Sequence, residues 1–354
     1  MIHFEKRLIP SRVTIVVTPI IAVILTMIAG GIMFAALGKP PLEAIRIIFW
    51  DPLFDPNFAS YSRPQLLVKA GPLILIAIGL SIGFKAGIWN IGAEGQIFMG
   101  ALALNLVYIN VTIGNSNLFI FILLISGFLG GSFCILLPAL AKTLFGVNEI
   151  ITTLLTNYIV FGLTIYLVNG VWKDPNSLNF PAAAYIDKSV YLPIVTSKLS
   201  SGFLICILFT FIAYYLKEKS VFGYELRIAG GSELTALYAG IKSKQVAFKA
   251  MLIGGGFAGL AGAIELLSQT HRVSTGLSQG FGYTAIIVAA ITGMRPIGIF
   301  LVGILFGALT IGGSVIQTIG VSSYLAEIIQ ASTLFGALII QFFFNYEIKK
   351  VEND

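Results

Sequence analysis

The sequence predicts an all-α, polytopic membrane protein with about ten transmembrane helices. Three observations lead to this fold class. Of the 354 residues, 57% are hydrophobic and only 11% are charged, whereas soluble domains carry about 25% charged residues. The apolar residues form long runs, and a helix needs about 20 such residues to cross a bilayer. Glycine is abundant, with 38 residues, as the close packing of membrane helices favours.

The first apolar run, Val13–Leu37, follows the basic segment Met1–Arg12. It is longer than the apolar core of a signal peptide, about 7–15 residues, so we interpret it as a first span that begins inside. The further runs are Leu66–Phe84, Glu94–Val111, Leu118–Ala141, Val147–Asn169, Gly202–Leu216, Ala247–Leu267, Phe281–Met294, Pro296–Thr318 and Tyr324–Phe344. Ten spans place both termini in the cytoplasm. Most of the 22 lysines and arginines then lie on the inner side, which agrees with the positive-inside rule.

Two segments stand out on the predicted outer side, residues 38–65 and 170–201. The first is rich in proline, aspartate and aromatic residues, and Pro41–Trp50 has the pattern of an amphipathic surface helix. The second combines aromatic and polar residues. A surface of this size and polarity could receive an external partner, and a solvated connection is the alternative.

Glycines four residues apart lie on one helix face and let two backbones approach closely. This spacing occurs in three places: Gly79, Gly83 and Gly87; Gly255 and Gly259; Gly303 and Gly307. Structural packing explains the pattern. The functional alternative is that these faces slide past each other during alternating access.

The segment Phe84–Gln96 concentrates glycines and polar residues between two apolar runs. Asn90 can cap a helix that has Glu94 in its first turn, which would make the segment a tight inner turn. The alternative is a broken helix whose free backbone groups line a substrate path. The candidates for that path along the whole chain are Asn90, Glu94, Gln96, Asn157, Glu265 and Gln269. Glu265 and Gln269, one helical turn apart, could together hydrogen-bond a polyhydroxy ligand.

Residues 217–249 form the longest predicted cytoplasmic connection. Ser232 can cap a short helix with Glu233 at its first position, and Gly240 can end that helix in the left-handed conformation. Four apolar side chains then share one face: Leu234, Leu237, Tyr238 and Ile241. Such a helix fits an apolar groove on a partner, and the alternative is a helix that lies on the membrane surface.

Several chemistries have no motif in this chain. The phosphate-binding pattern G-x-x-x-x-G-K-[ST] and the metal motif H-E-x-x-H are both missing. Cys134 and Cys206 lie within apolar runs, and His3 and His271 are far apart in the sequence. We therefore expect a transport subunit rather than an enzyme, with no cofactor of its own. The net charge of +6 reflects topology rather than nucleic-acid binding.

Five motifs, in order, resemble bacterial ABC-importer permeases for simple sugars, nucleosides and branched-chain amino acids, with the nucleoside and simple-sugar branch the most similar. The resemblance covers roughly residues 65–345. The motifs are F-K-A-G-I-W-N-I-G-A-E-G-Q-I-F-M-G-A-L (84–102), N-E-I-I-T-T followed by Asn157 and Tyr158, A-G-G-S-E-L-T-A-L-Y-A-G-I (229–241), G-G-F-A-G-L-A-G-A (255–263) and G-F-G-Y-T-A-I-I-V-A (280–289).

The resemblance implies a permease domain over residues 1–354 with a pseudo-repeated core in the bacterial inner membrane. It also implies a second permease chain, two ATPase subunits that bind ATP and magnesium, and an extracytoplasmic binding protein or lipoprotein. The segment that fits the ATPase would comprise Arg227, Ser232, Glu233, Leu234, Leu237, Tyr238, Gly240 and Ile241. The substrate expected from the resemblance is a nucleoside or a simple sugar, and an ABC permease for branched-chain amino acids is the alternative within the family. Two rivals come from other classes: an ion-coupled secondary transporter, which needs ionisable pairs deep in the spans, and an intramembrane enzyme.

Overall fold

A computed structural model describes residues 2–6, 14–177, 180–196, 199–322 and 324–350. The chain is mostly helical, at 78%. Arg7 and Arg12, which contribute to the predicted inner charge, and Val13, the predicted start of the first span, lie outside the described residues.

In the described part of the chain, helices lie at the positions of the predicted apolar runs. They are α1 (Thr14–Ala36), α4 (Pro56–Lys85), α5 (Ala93–Asn110), α6 (Ser116–Phe145), α7 (Glu149–Asn169), α8 (Ser201–Glu218), α11 (Ser243–Glu265), α12 (Phe281–Ile291), α13 (Pro296–Val315) and α14 (Tyr324–Asn345). Six described helical stretches are long and apolar enough to cross a membrane, and two shorter apolar helices accompany them. The count of ten spans and the pseudo-repeat stay predictions.

Shorter elements complete the chain. The short helices are α2 (Pro41–Ile45), α3 (Asp51–Phe54), α9 (Val221–Gly231) and α10 (Glu233–Tyr238). Single π turns cover Arg46–Trp50 and Leu266–Thr270, and 3-10 turns cover Lys188–Val190 and Ile316–Ile319. The strands are β1 (Ile2–Lys6), β2 (Ile194–Thr196), β3 (Leu199–Ser200) and β4 (Tyr346–Lys350), with β1 antiparallel to β4 and β2 antiparallel to β3.

The predicted outer segment 38–65 is largely helical. Helix α4 begins at Pro56 rather than at Leu66, because the polar residues 56–65 continue the helix without a break. The helical prediction for Pro41–Trp50 is confirmed, as α2 followed by a π turn. The rings of Trp50 and Phe54 pack against each other at a tilt of 38°, with centroids 4.5 Å apart.

The chain separates into two compact units. The first comprises residues 1–66, 290–293 and 305–354, and the second comprises residues 67–289 and 294–304. Within the first unit, Gly30 of α1 approaches Ile329 of α14, where an added Cβ would lie 3.4 Å from the isoleucine side chain. Gly312 of α13 contacts the backbone of Ile48. The single permease domain over residues 1–354 stays a prediction.

Helices α5, α6 and α11 form the core of the second unit and meet at glycines. A Cβ added to Gly259 of α11 would lie 2.3 Å from the carbonyl oxygen of Gly127 of α6. One added to Gly255 would lie 2.9 Å from the carbonyl oxygen of Gly131, also in α6. Gly100 of α5 would place a Cβ 2.1 Å from the carbonyl oxygen of Gly259. The backbones of the three helices are therefore in direct contact, as the spacing of Gly255 and Gly259 predicts.

The remaining predicted packing glycines differ from one another. Gly79 of α4 contacts Phe257, and Gly303 of α13 contacts Ile74. Gly83 has room for a Cβ, since the nearest atom would be 3.5 Å away. Gly307 is buried in α13. The prediction for Gly87 is wrong: it lies beyond the end of α4 with φ of +76°, so it forms a left-handed turn instead of a helix face.

The predicted outer segment 170–201 pairs with the residues that follow α11. Ala183 N–H donates to the Val273 carbonyl at 2.8 Å, and Ile186 N–H donates to the His271 carbonyl at 2.9 Å. The Tyr191 and His271 rings stack with centroids 3.7 Å apart. Burial lowers the pKa of the His271 imidazole below its ordinary value.

Candidate functional site

A cavity of about 280 Å³ opens in the second unit. Its lining comes from α5, α7, the start of α12 and the turn before it: Glu94, Gly95, Phe98, Asn157, Tyr158, Phe161, Thr275, Gly276, Gln279, Gly280 and Tyr283. The wall therefore combines four aromatic rings with amide, hydroxyl and carboxylate groups. Two of the six predicted path residues, Glu94 and Asn157, line it, and their contact with a substrate stays a prediction.

Glu94 joins the first turn of α5 to the first turn of α12. Its carboxylate accepts the Gly280 N–H at 3.2 Å and the Gly282 N–H at 2.8 Å. The amino end of a helix favours a negative charge, so the carboxylate stabilises α12 in this position. Gly282 allows the approach, because a Cβ there would lie 2.3 Å from the Glu94 nitrogen.

Helix α4 ends at Lys85 and α5 begins at Ala93. Residues 86–92, the α4–α5 connection, are therefore non-helical. Three side chains of α7 pair with the backbone here and at the start of α5. Glu149 Oε1 accepts the Trp89 N–H at 3.4 Å, Thr153 Oγ1 accepts the Ile91 N–H at 3.1 Å, and Asn157 Oδ1 accepts the Gly95 N–H at 2.8 Å.

These three residues, the α7 ladder, are spaced four apart and share one helix face. Asn157 Nδ2 also donates to the Ile91 carbonyl at 2.9 Å and to the Tyr283 hydroxyl at 3.3 Å. Within a membrane every backbone polar group needs a partner inside the protein, and the ladder supplies several. Residues 86–92 thus form a non-helical connection whose Trp89 and Ile91 N–H groups are paired with α7 and are not free to line a path. The choice between an inner turn and a broken helix stays a prediction.

Asn90 and Gln96 bond to each other. Asn90 Nδ2 donates to Gln96 Oε1 at 3.0 Å, and Gln96 Nε2 donates to Asn90 Oδ1 at 3.1 Å. Both side chains are buried and neither lines the cavity. The predicted helix cap at Asn90 is wrong: the N-cap position of α5 is Gly92, whose N–H donates to Asn90 Oδ1 at 2.8 Å.

Glu265 forms a buried ion pair instead of lining the cavity. Its Oε1 lies 2.9 Å from Lys69 Nζ, and only 1% of the glutamate side chain is exposed. Lys69 also lies over the ring of Phe281, 5.3 Å from its centroid. Gln269 Nε2 donates to the Ser268 carbonyl at 2.9 Å. The sequence does not predict the Lys69–Glu265 pair, because the two residues are 196 positions apart. A lysine inside an apolar run nevertheless indicates a buried partner.

The short helix predicted within segment 217–249 has the ends that its sequence predicts. Ser232 is the N-cap of α10 and its Oγ accepts the Thr235 N–H at 3.3 Å, with Glu233 in the first turn. Gly240 ends the helix with φ of +72°, and the Ile241 N–H donates to the Ala236 carbonyl at 2.8 Å. These hydrogen bonds pair backbone N–H and C=O groups at the two ends of α10 that lack partners within the helix.

One face of α10 is largely exposed in the part of the chain that the structure describes. Leu234, Leu237 and Tyr238 are 69%, 71% and 90% exposed, while Ala236 is fully buried. A groove of about 640 Å³ lies beside α10 and the start of α11. Its lining combines apolar and charged residues: Glu233, Leu234, Leu237, Gly240, Ile241, Lys242, Ser243, Lys244 and Gln245. Large exposed apolar side chains in one patch mark a protein or membrane interaction site.

Helix α9 connects α10 to the end of α4. Glu218 lies 3.7 Å from Lys85 Nζ and 4.0 Å from Arg227 Nη1, so the predicted coupling residue Arg227 belongs to a charge cluster. A Cβ on Gly230 would lie 2.1 Å from the Lys85 carbonyl oxygen, and one on Gly87 would lie 3.7 Å from Gly230 Cα. The backbone of α9 therefore rests directly on the start of the α4–α5 connection.

Comparison with known proteins gives a consistent result. Residues 63–342 match the family described as the permease component of branched-chain amino acid transport systems. A glucose ABC transporter permease of Haloferax volcanii is 30% identical over 94% of this chain and 89% of its own length. A guanosine ABC transporter permease of Bacillus subtilis is 29% identical over 85% and 86%. A nucleoside ABC transporter permease of Lactococcus lactis is 26% identical over 90% of both chains.

Proposed function

The chain belongs to the permease family of branched-chain amino acid transport systems, and on this premise we propose that it imports nucleosides or simple sugars. It is an ABC transporter permease. The proposal adds that ATP is hydrolysed by separate subunits, that this chain binds neither ATP nor magnesium, and that transport proceeds by alternating access.

The substrate proposal rests on the residues that line the cavity. Aromatic faces stack on nucleobases and on sugar rings, and Phe98, Tyr158, Phe161 and Tyr283 offer four of them. Asn157 and Gln279 add amides that can donate and accept hydrogen bonds. A volume of about 280 Å³ suits a small polar molecule.

The same lining disfavours an amino acid. A zwitterion brings a carboxylate that needs a cationic or multiple N–H partner. Among the described residues that line the cavity, Glu94 is the charged one and it is acidic. We therefore place the substrate with the guanosine, nucleoside and glucose transporters among the relatives rather than with the branched-chain amino acids of the family description.

We further propose that α10 docks in a groove of an ATPase subunit. The exposed apolar face of Leu234, Leu237 and Tyr238, with Lys242 and Lys244 beside it, fits an apolar groove with an acidic rim. Segment 217–249 would then be the coupling segment. A second permease chain, an extracytoplasmic binding protein or lipoprotein and an inner-membrane location with both termini inside complete the proposal.

One observation favours the ion-coupled rival. The Lys69–Glu265 pair is the kind of buried ionisable pair that a secondary transporter uses. It bonds away from the cavity lining, however, and Lys69 contacts Phe281, so we assign it to holding α12. Transport without an ATPase, driven by a proton or sodium gradient, is the outcome that would support the rival.

Uptake in proteoliposomes tests the proposal. The permease is reconstituted with its ATPase and binding protein, and uptake of radiolabelled guanosine, glucose and leucine is compared with and without ATP. We expect ATP-dependent uptake of guanosine or glucose. Uptake of leucine alone would contradict the substrate proposal, and uptake by an ion gradient without the ATPase would contradict the importer.

Co-purification in mild detergent tests docking. A Leu237→Asp/Tyr238→Asp double variant places two charges on the exposed face of α10, so we expect the ATPase to be lost from the complex. Val221→Asp, at an exposed position in the first turn of α9, is the matched control. Equal loss in both variants, or in neither, would contradict the docking assignment.

A further inference from the structure

The α7 ladder and the α4–α5 connection are held together by both side chains and backbone. The ladder residues Thr153 and Asn157 are 0% and 4% exposed. The bond from Gly95 to Asn157 is buried, and the bond from Ile91 to Thr153 is partly buried. A Cβ on Gly92 would lie 2.9 Å from the Thr153 carbonyl oxygen, and one on Gly95 would lie 2.9 Å from Asn157 Oδ1. Movement of one element without the other would leave buried backbone groups unpaired, which is costly.

The α7 ladder and the α4–α5 connection together contact the proposed coupling segment at one end and the cavity at the other. At the inner end, Gly230 of α9 contacts the Lys85 carbonyl, immediately before the connection. At the cavity end, Asn157 bonds to the Tyr283 hydroxyl at 3.3 Å. A displacement of α9 would therefore push on the α4–α5 connection. The α7 ladder would pass this displacement on to the cavity wall, because Asn157 bonds to Tyr283 there.

We propose that Thr153 and Asn157 are positioning residues that lock the α4–α5 connection to α7, so that the two move as one body and carry the motion of α9 to the cavity. The inference rests on the proposed function, since it assumes that an ATPase moves the coupling segment. Asn157 also lines the cavity, whereas Thr153 does not. Thr153 therefore separates a positioning role from substrate contact.

The test compares Thr153→Val with Thr153→Ser and Thr156→Val. Valine keeps the shape of threonine but removes the hydroxyl that accepts the Ile91 N–H. Serine restores the hydroxyl. Thr156→Val is the matched control, because that hydroxyl donates within α7, to the Thr152 carbonyl at 2.8 Å. Each variant is purified with the ATPase, and guanosine or glucose uptake is measured per ATP hydrolysed.

We expect Thr153→Val to bind the ATPase and hydrolyse ATP, with the substrate KM unchanged and the uptake per ATP reduced about fivefold, a size typical of residues in a coupled network. Thr153→Ser and Thr156→Val should behave as the wild type. A wild-type ratio in Thr153→Val, or an equal loss in Thr156→Val, overturns the inference.

A distance measurement tests the inference independently of any substrate. Spin labels are placed at Trp89→Cys in the connection and Ile151→Cys on α7, both at exposed positions, while the native Cys134 and Cys206 are buried. The distance between the labels should stay constant when ATP binds the wild-type complex and should change or broaden in Thr153→Val. A distance that changes in the wild type overturns the inference, whereas failure of uptake with a constant distance contradicts only the proposed function.

Discussion

Gly259→Ala is expected to destabilise the second unit strongly for a single added methyl group. The new Cβ would lie 2.3 Å from the Gly127 carbonyl oxygen and 2.6 Å from Gly131 Cα, where ordinary contacts begin at 3.4 Å. Both are backbone atoms that cannot rotate away, so α6 and α11 must separate by about 1 Å, which forfeits roughly a quarter to a half of each contact's dispersion energy. Overpacking of this kind costs about 1–3 kcal/mol, and we expect the upper end.

Thermal unfolding of the purified chain in detergent measures this effect. A loss of about 3 kcal/mol corresponds to a drop in Tm of roughly 4 °C for a chain of this size. Gly162→Ala in α7 is the matched control, because its Cβ would meet nothing within 4 Å, and alanine is the better helix former by up to about 1 kcal/mol. An unchanged Tm in Gly259→Ala, or an equal drop in Gly162→Ala, would refute the backbone-contact explanation.

Three further predictions concern charged and titratable groups. Lys69→Met should lower the free energy of unfolding by roughly 3–5 kcal/mol, because it strands the buried Glu265 carboxylate, and a Lys69→Met/Glu265→Leu double variant should recover much of the Tm. Glu94→Gln should raise the KM for uptake, since the α12 amides lose a charged acceptor; an unchanged KM would contradict this. Because burial lowers the pKa of His271, the folded state disfavours its protonation, so stability present above about pH 6.5 is lost as the pH falls below it. His271→Asn, which also tolerates the left-handed φ of 54°, should reduce that pH dependence of Tm.

Features that depend on local sequence could be predicted. The helix positions follow from the apolar runs, and the ends of α10 follow from Ser232 and Gly240, because capping involves groups only a few residues apart. The predicted start of α4, Leu66, is ten residues too late. The prediction used the start of the apolar run, whereas the helix already includes residues 56–65 before that run.

Features that depend on distant partners could not be predicted. The Lys69–Glu265 pair joins α4 to α11, and no local pattern links the two residues. Glu149 has the local pattern of a first-turn acid, yet it also lies 2.8 Å from Lys142 Nζ and accepts the Trp89 N–H. The spacing of Glu149, Thr153 and Asn157 was visible in the sequence, but its partner is backbone, which carries no sequence signal.

Polarity within an apolar chain therefore identifies two kinds of residue that sequence alone does not separate. A break in a membrane helix exposes backbone groups, and side chains must pair with them before any ligand can bind. The Thr153 side chain bonds to backbone groups alone. Asn90 and Gln96 bond to each other, and Asn90 also accepts the Gly92 N–H. Asn157 does both, because its amide holds Ile91 and Gly95 and still lines the cavity.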